Sequence, residues 1–429
     1  MPATPGAAAH PAPAPCTDVL IVGGGPAGLS LATALAQAGL QATVLEQQGE
    51  SALAHPAPDG REIALTHPSV ATLQRLGSWQ RLAPHEIGLL RQAQVHDGPV
   101  GAGAGMTLHA GGTGCDHLGW IVPNHALRRT AHDVAASTPG VRIMAGATVT
   151  RVAIAADHAE LTYTQAGGAD APPQCLRAPV LVAADSRFSA MRRQLGIGAS
   201  MRDFGRTVIV CRLRHELPHG EVAHECFDYA RTLAILPLPD DPDSGAHQCS
   251  AVVTAGAEQA QALLALSPEE YAASVQRQFG HRLGRMHLVG ERHAYPLVAV
   301  YAQRFADARC ALVGDAAVGM HPVTAHGYNL GLAAVDRLAR VLEGAHAHGA
   351  DLGEAALLRR YASAHHRHAW PLYQGTNAIV GLYTDERPLP RLLRQAVLAG
   401  SRRLPPLQAL IVSQLTGRRP AWPRTASSP

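Results

Sequence analysis

The chain has 429 residues, 47% hydrophobic and 16% charged, which allows two domains, or one large domain with an insertion, around a sizeable core. Its 36 Lys and Arg against 33 Asp and Glu leave a formal charge of +3, and no basic run is interleaved with aromatics, so a nucleic-acid partner is excluded. The seven cysteines (16, 115, 175, 211, 226, 249 and 310) lack CxxC spacing, which fits reduced thiols in a cytoplasmic protein and not a disulfide framework or a zinc site.

Residues 1–17 are rich in Pro and Ala without an early Lys or Arg, and read as a disordered tail, not a secretory signal. Val19 to Gln37 is uncharged and long enough to imitate a membrane span, but Gly23-Gly24-Gly25-Pro26 in its middle breaks such a helix. The stretch reads instead as a strand at Asp18–Val22, a turn, and a helix at Leu29–Ala38 closed by Gly39. A second strand, Gln41–Leu45, ends at Glu46. Gly23, Gly25 and Gly28 fit GxGxxG, and each has a task. Gly23 makes the tight turn, Gly25 lets the backbone approach a pyrophosphate, and Gly28 lets helix and strand pack closely. Glu46, 18 residues beyond Gly28, suits hydrogen bonds from an adenosine ribose and disfavours a 2′-phosphate, so FAD or NAD fits better than NADP.

Further along, Gly101 to Gly114 reads as a mobile Gly-rich loop, and Val180–Ala184 as an apolar strand running into Asp185, Ser186 and Arg187. Thr207–Leu213, Thr232–Leu236 and Cys249–Thr254 read as strands of an antiparallel sheet. Ser267-Pro-Glu-Glu270 has the form of a capping box for a helix reaching about Phe279. Cys310–Val313 is a short buried strand that runs into Gly314-Asp315, where a carboxylate can accept a hydrogen bond from a sugar-like hydroxyl. A turn at Pro322–Gly327 then opens an amphipathic helix, Tyr328–Arg340, whose first amides face something electron-rich.

Among 24 histidines, His365-His366-Arg367-His368 invites a metal reading, but adjacent helical positions point in different directions, so the run reads as a solvated helix face. No metal site is expected, and no nucleophile elbow with a Ser/His/Asp order supports a hydrolase. From 388 to 417 leucines alternate with Arg391, Arg394, Arg402 and Arg403. Two readings stay open there: a basic amphipathic helix on a membrane surface, or a helix packed on the body.

Taken together, GxGxxG with Glu46, Asp185-Ser-Arg-x-Ser-x-x-Arg192, and Gly314-Asp315…Pro322…Gly327-x-Asn329 resemble the single-component, class A FAD monooxygenases over about residues 17–417. Within that group the chain looks most like the ubiquinone-biosynthesis hydroxylases. Supporting segments are Arg61-Glu-Ile-Ala-Leu-Thr66, Leu76-Gly-Ser-Trp79, Gly119-Trp-Ile-Val-Pro-Asn124, Leu236-Pro-Leu238 and Tyr295-Pro-Leu297.

The resemblance implies an α/β protein: a Rossmann-like FAD-binding fold with an antiparallel β-sheet substrate domain and C-terminal helices. The flavin part would comprise 18–67, 119–197 and 301–345, the substrate part 68–118 and 198–300, and the C-terminal helical region 346–429. Gly23, Gly25, Gly28 and Glu46 would bind the ADP half of FAD, and Arg61 and Asn124 its pyrophosphate or ribityl region. Asp315, with Gly314 before it, would hold the ribityl chain, and Gly327 and Asn329 would lie under the isoalloxazine. Pro322 would flank the ring beside the substrate, and Asp185 would belong to the motif that handles nicotinamide. Arg61 as a surface turn residue and Asn124 as a helix N-cap are the competing structural readings.

Two positions depart from the family pattern. Ser186 stands where a glycine is usual, and serine tolerates positive φ less well. His326 stands where the ubiquinone branch usually has Gln; it would either act on the reduced flavin's N1–C2 edge or on proton movement, or be a helix-cap residue.

The implied reaction is hydroxylation of the aromatic ring of a polyprenylated phenol or hydroquinone by O2, through a flavin C4a-hydroperoxide. With a single GxGxxG, the electron donor would be transiently bound NAD(P)H or a ferredoxin-type partner. Alternatives are a class A hydroxylase or epoxidase of another aromatic or isoprenoid substrate, a flavin reductase of isoprenoid double bonds, or a flavin-binding component without turnover in a quinone-synthesis complex. A cytoplasmic protein, peripheral on the inner membrane face and forming such a complex or a homo-oligomer, completes the expectation.

Overall fold

The computed structural model describes residues 17–97, 105–111, 114–166, 172–227, 231–320, 326–384, 412–413 and 416–417. Val19–Val22 and Val180–Ala183 carry apolar side chains at every position, and such strands must be covered on both faces. They sit side by side in the middle of a six-stranded sheet of order 306–307, 310–312, 180–183, 19–22, 42–46, 141–145. Every pair in it is parallel except the hairpin at one edge. Helices Pro26–Gln37 and Gly327–Ala347 pack against each other beside this sheet, within the main hydrophobic core. The antiparallel strands Ala147–Ile154, Ala159–Gln165 and Gln174–Ala178 join the same core.

A second, eight-stranded sheet has the order 318–319, 286–302, 199–215, 247–256, 231–238, 222–227, 92–97, 105–109. Alternation along its strands separates two faces. Ile209, Cys211, Leu213, Leu233, Ile235, Cys249, Ala251 and Val253 turn toward helices Ala257–Ala265 and Pro268–Gln278 and form one core with them. Val208, Val210 and Val252 turn the other way, toward Leu297, Phe204 and Tyr295. The capping box forms: the Ser267 hydroxyl accepts from the Glu270 amide at 3.1 Å, and the Glu270 carboxylate accepts from the Ser267 amide at 2.9 Å. A small sheet of 62–65, 119–123 and 88–90 touches both larger units.

Two expectations change, and a third segment lies mostly outside the described residues. Part of the Gly-rich segment is a strand, Gly105–His109, paired with Gln92–Asp97; residues 101–104 and 112–113 lie outside the described residues. The His365–His368 run is not uniformly solvated. His365, 1% exposed, faces inward beside Tyr361 and Arg337, and burial pushes its pKa down to about 3, while His366, Arg367 and His368 are exposed. Of 388–417, only 412–413 and 416–417 are described, and there Val412 packs with Met106, Leu108 and Phe227 while Thr416 is fully buried. Among the described residues no helix is long and apolar enough to cross a membrane, and no group of His, Cys, Asp and Glu could hold a metal.

Candidate active site

The carboxyl ends of the parallel strands point to one edge of the first sheet, where open α/β sheets form ligand crevices. There the strand ending at Val22 passes into Gly23, whose φ is +116° and whose missing Cβ would overlap the Ala184 carbonyl oxygen. A Cβ on Gly28 would overlap the Gly23 carbonyl oxygen, so strand and helix approach as closely as backbones allow. Glu46, at the end of the second strand, accepts from the Gly24 amide at 2.6 Å and, through its other oxygen, from the Gln48 amide at 2.9 Å. Its carboxylate thus lies at the turn.

Gly25 differs from its neighbours. It is the extended N-cap of helix Pro26–Gln37, makes no side-chain cap bond, and has nothing within 4 Å of where a Cβ would stand. A helix start with such space beside it is the arrangement that holds a phosphate. Gly327, the first residue of helix Gly327–Ala347, likewise has nothing within 4 Å of where a Cβ would stand among the described residues. The two helix starts lie together, because a Cβ on Gly314 would be 3.1 Å from the Ala27 Cβ, and one on Gly331 would be 3.5 Å from the Gly314 Cα. Gly314 itself has φ +61°.

The motif at Asp185 reaches this point from the central strand. Arg187 donates to the Asp315 carboxylate at 2.9 Å and to the Val298 carbonyl at 3.0 Å. Arg192, 3% exposed, donates to the Ala316 carbonyl at 2.8 Å and to the Arg187 carbonyl at 3.2 Å. The two arginines thereby clamp the Gly314–Ala316 turn by its side chain and its backbone. Asp185 faces its own helix start, accepting from the Ser189 hydroxyl and, at 3.3 Å, from the Met191 amide; burial raises its pKa. Ser186 is not among the residues with positive φ, so the usual glycine is not required by the backbone here.

Within electrostatic reach of Asp315, Asp59 joins Arg61 to Asn124. It accepts from Arg61 Nη2 at 2.6 Å and from the Asn124 amide at 2.7 Å, while Tyr295 donates its hydroxyl to the Asp59 carbonyl at 2.7 Å. Burial alone would raise the Asp59 carboxyl, but the bonds and charge of Arg61 and the Asn124 amide outweigh it and hold the group below the usual range. Arg61 lies over the Tyr295 ring at 5.5 Å, so it is no isolated turn residue. Asn124 is the first residue of its helix, after the N-cap Pro123, and its side chain makes no cap. Beside them Glu62, with a 1% exposed side chain, pairs with Arg212 at 2.8 Å, and burial pushes its carboxyl up to about 7. Glu62 and Asp59 were not singled out from the sequence, although Glu62 follows Arg61 directly and Asp59 stands two residues before it.

Asn329, 8% exposed, accepts from the Thr66 amide at 3.0 Å and donates to the Ala64 carbonyl at 2.8 Å, tying the helix start to the strand that follows Arg61. His326, also 8% exposed, is the N-cap residue of that helix. Pro322 lies outside the described residues.

A family model described as an FAD binding domain matches residues 16–376. The chain is 44% identical to ubiquinone hydroxylase UbiM of Neisseria meningitidis over 407 residues, covering 94% of this chain and 85% of that protein. The chain belongs to the FAD-dependent ubiquinone hydroxylase family. Another relative of these hydroxylases, UbiL of Rhodospirillum rubrum, is 34% identical over 93% of this chain and 89% of its own length. The family's fold extends to the p-nitrophenol 4-monooxygenase PnpA of Pseudomonas putida, with TM-score 0.74 and 19% identity over 94% of this chain and 99% of that one. The residues present fit FAD. The open spaces at Gly25 and Gly327, each at a helix start, are cradles that a Cβ would fill, and Glu46 stands at the far end of the turn.

Proposed function

We propose that this chain hydroxylates the aromatic ring of a polyprenylated phenol or hydroquinone in ubiquinone biosynthesis, using FAD and O2. The carrying observation is the meeting of Gly23–Gly28, Arg187–Arg192 and Gly314–Asp315 at one sheet edge, in a chain 44% identical to a ubiquinone hydroxylase. Bound and reduced, FAD supplies the activation of O2. The protein's share is to bind, orient and exclude water.

In this reading Gly23, Gly25, Gly28 and Glu46 hold the ADP half, and the amides after Gly25 hold the pyrophosphate. Arg61 and Asn124, joined by Asp59, close over the pyrophosphate and ribityl region, and Asp315, presented by Gly314 and held by Arg187, takes a ribityl hydroxyl. Gly327 leaves room for the ring, and Asn329 keeps the helix start in place beneath it. Asp185 serves as a support of this turn. His326 borders the reacting edge. Segments 18–67, 119–197 and 301–345 form the flavin side, and 68–118 and 198–300 the substrate side.

The electrons come from NAD(P)H or a ferredoxin-type partner; anaerobic mixing of the FAD-loaded protein with each donor tells them apart. A lipophilic substrate gives the basic 388–417 segment a reason to meet the inner membrane surface. The function is tested by expressing the chain in hosts lacking each ring hydroxylase of the pathway and profiling quinones by mass spectrometry. Restored ubiquinone in at least one host is expected, and unchanged accumulation of every precursor would remove this reading.

A further inference from the structure

One row of side chains crosses six strands of the large sheet: Val210, Val252, Ala234, Glu225, Val95 and Met106 are successive register partners. Register partners share a face. Their strand neighbours Ile209, Cys211, Leu233, Val253 and Cys226 belong to the core under the two covering helices, so the row lies on the opposite face. That face looks toward the flavin side. Val210 Cγ2 stands 2.9 Å from where a Gly60 Cβ would be, and Gly60 lies between Asp59 and Arg61. On the same face Arg212, two residues along from Val210, pairs with Glu62.

Glu225 is the one polar member of this row. Among the described residues its carboxyl has no hydrogen-bond or ion-pair partner, although a buried carboxyl without one is costly. It keeps some accessible surface, and burial pushes its pKa up to about 8. At neutral pH it is then chiefly a neutral acid, able to donate one hydrogen bond and accept others. Its register partners Val95 and Ala234 and, beyond them, Met106 and Phe227 are apolar. A polar group with no protein partner on the substrate-facing wall is the arrangement that orients a mostly apolar ligand.

We propose that Glu225 is a substrate-binding residue whose carboxyl hydrogen-bonds the ring hydroxyl of the phenolic substrate. This rests on the phenol-hydroxylase reading above. An acid here discriminates for ring oxygen, since a ligand without the hydroxyl leaves the buried carboxyl unpaired.

The test is calorimetric titration of the FAD-loaded protein with 2-hexylphenol and with hexylbenzene, which lacks the hydroxyl. Wild type should bind the phenol about five- to tenfold more tightly. Glu225→Ala should bring the two affinities within about twofold of each other, and Glu225→Gln, whose amide still donates, should retain most of the preference. FAD content and visible spectrum, read for each variant, should match wild type. Glu225→Ala that keeps the full preference overturns the assignment of Glu225 and leaves the phenol reading intact. Wild type that binds neither ring overturns both.

Discussion

Arg187 and Asp315, 128 residues apart, form an ion pair at 2.9 Å that fastens the motif after the central strand to the carboxylate proposed for the ribityl chain. Both side chains are partly exposed, so the pair adds at most about 1 kcal/mol to folding. Its value lies in orienting Asp315. Arg187→Gln should therefore leave the melting temperature within a few degrees of wild type and weaken FAD about five- to tenfold. Fluorescence titration of the apoprotein reads this, and unchanged affinity would show that Asp315 needs no such support.

Gly25 and Gly28 separate the two uses of glycine in one turn. Gly28→Ala meets the Gly23 carbonyl and should cost about 1–3 kcal/mol of stability even in the apoprotein. Gly25→Ala has open space and an extended φ of −72°, so the apoprotein should melt almost as wild type does. Its FAD affinity should fall at least about tenfold, because the new methyl occupies the phosphate's approach. Thermal melts with and without FAD give both readings.

Glu62 gives a pH signature. Its folded pKa of about 7 lies above the ordinary 4.5, so folding favours its protonated form. The stability this contributes is complete below pH 4.5 and is lost as pH rises through 7. Glu62→Gln removes that dependence while keeping an acceptor for Arg212. Stability of the variant minus that of wild type, from urea unfolding at pH 5, 6, 7 and 8, should rise with pH by on the order of 1–2 kcal/mol. A flat difference would mean that Arg212 keeps Glu62 ionised throughout.

His326→Gln should leave FAD bound and change the pH dependence of turnover, since a titratable ring is replaced by a neutral amide at the N-cap of the helix beside the proposed flavin edge. Identical pH profiles for the two proteins would take His326 out of the reaction.

Removing residues 388–429 takes away Val412 and Thr416 and uncovers Met106, Leu108 and Phe227. The shortened chain should melt several degrees lower, and should float less with anionic liposomes if the basic segment meets membranes. Equal flotation of the two chains removes the membrane surface from the functional reading.

Much of the flavin half is legible because its signals are local. Strand, glycine turn, helix, strand and Glu46 occupy fewer than 30 consecutive residues, and the geometry of each step follows from backbone sterics and residue size. The short strand before Gly314-Asp315 and the helix after it are legible for the same reason, although the helix begins at Gly327 and runs on to Ala347. Gly101–Gly114 misleads because glycine content signals a loop, while pairing with Gln92–Asp97 makes Gly105–His109 a strand.

By itself the sequence determined that this chain builds a dinucleotide-type turn, a second Gly-Asp turn and the family to which both belong. Only the tertiary structure decided that Arg187 meets Asp315, that Asp59 joins Arg61 to Asn124, and that His365 turns inward. It alone decided the side on which Glu225 stands. Between His224 and Cys226 the chain alternates with a period of two, and either face could be the covered one. The helices Ala257–Ala265 and Pro268–Gln278 cover the Cys226 face, and that packing turns Glu225 to the opposite face, where the proposed substrate contact lies.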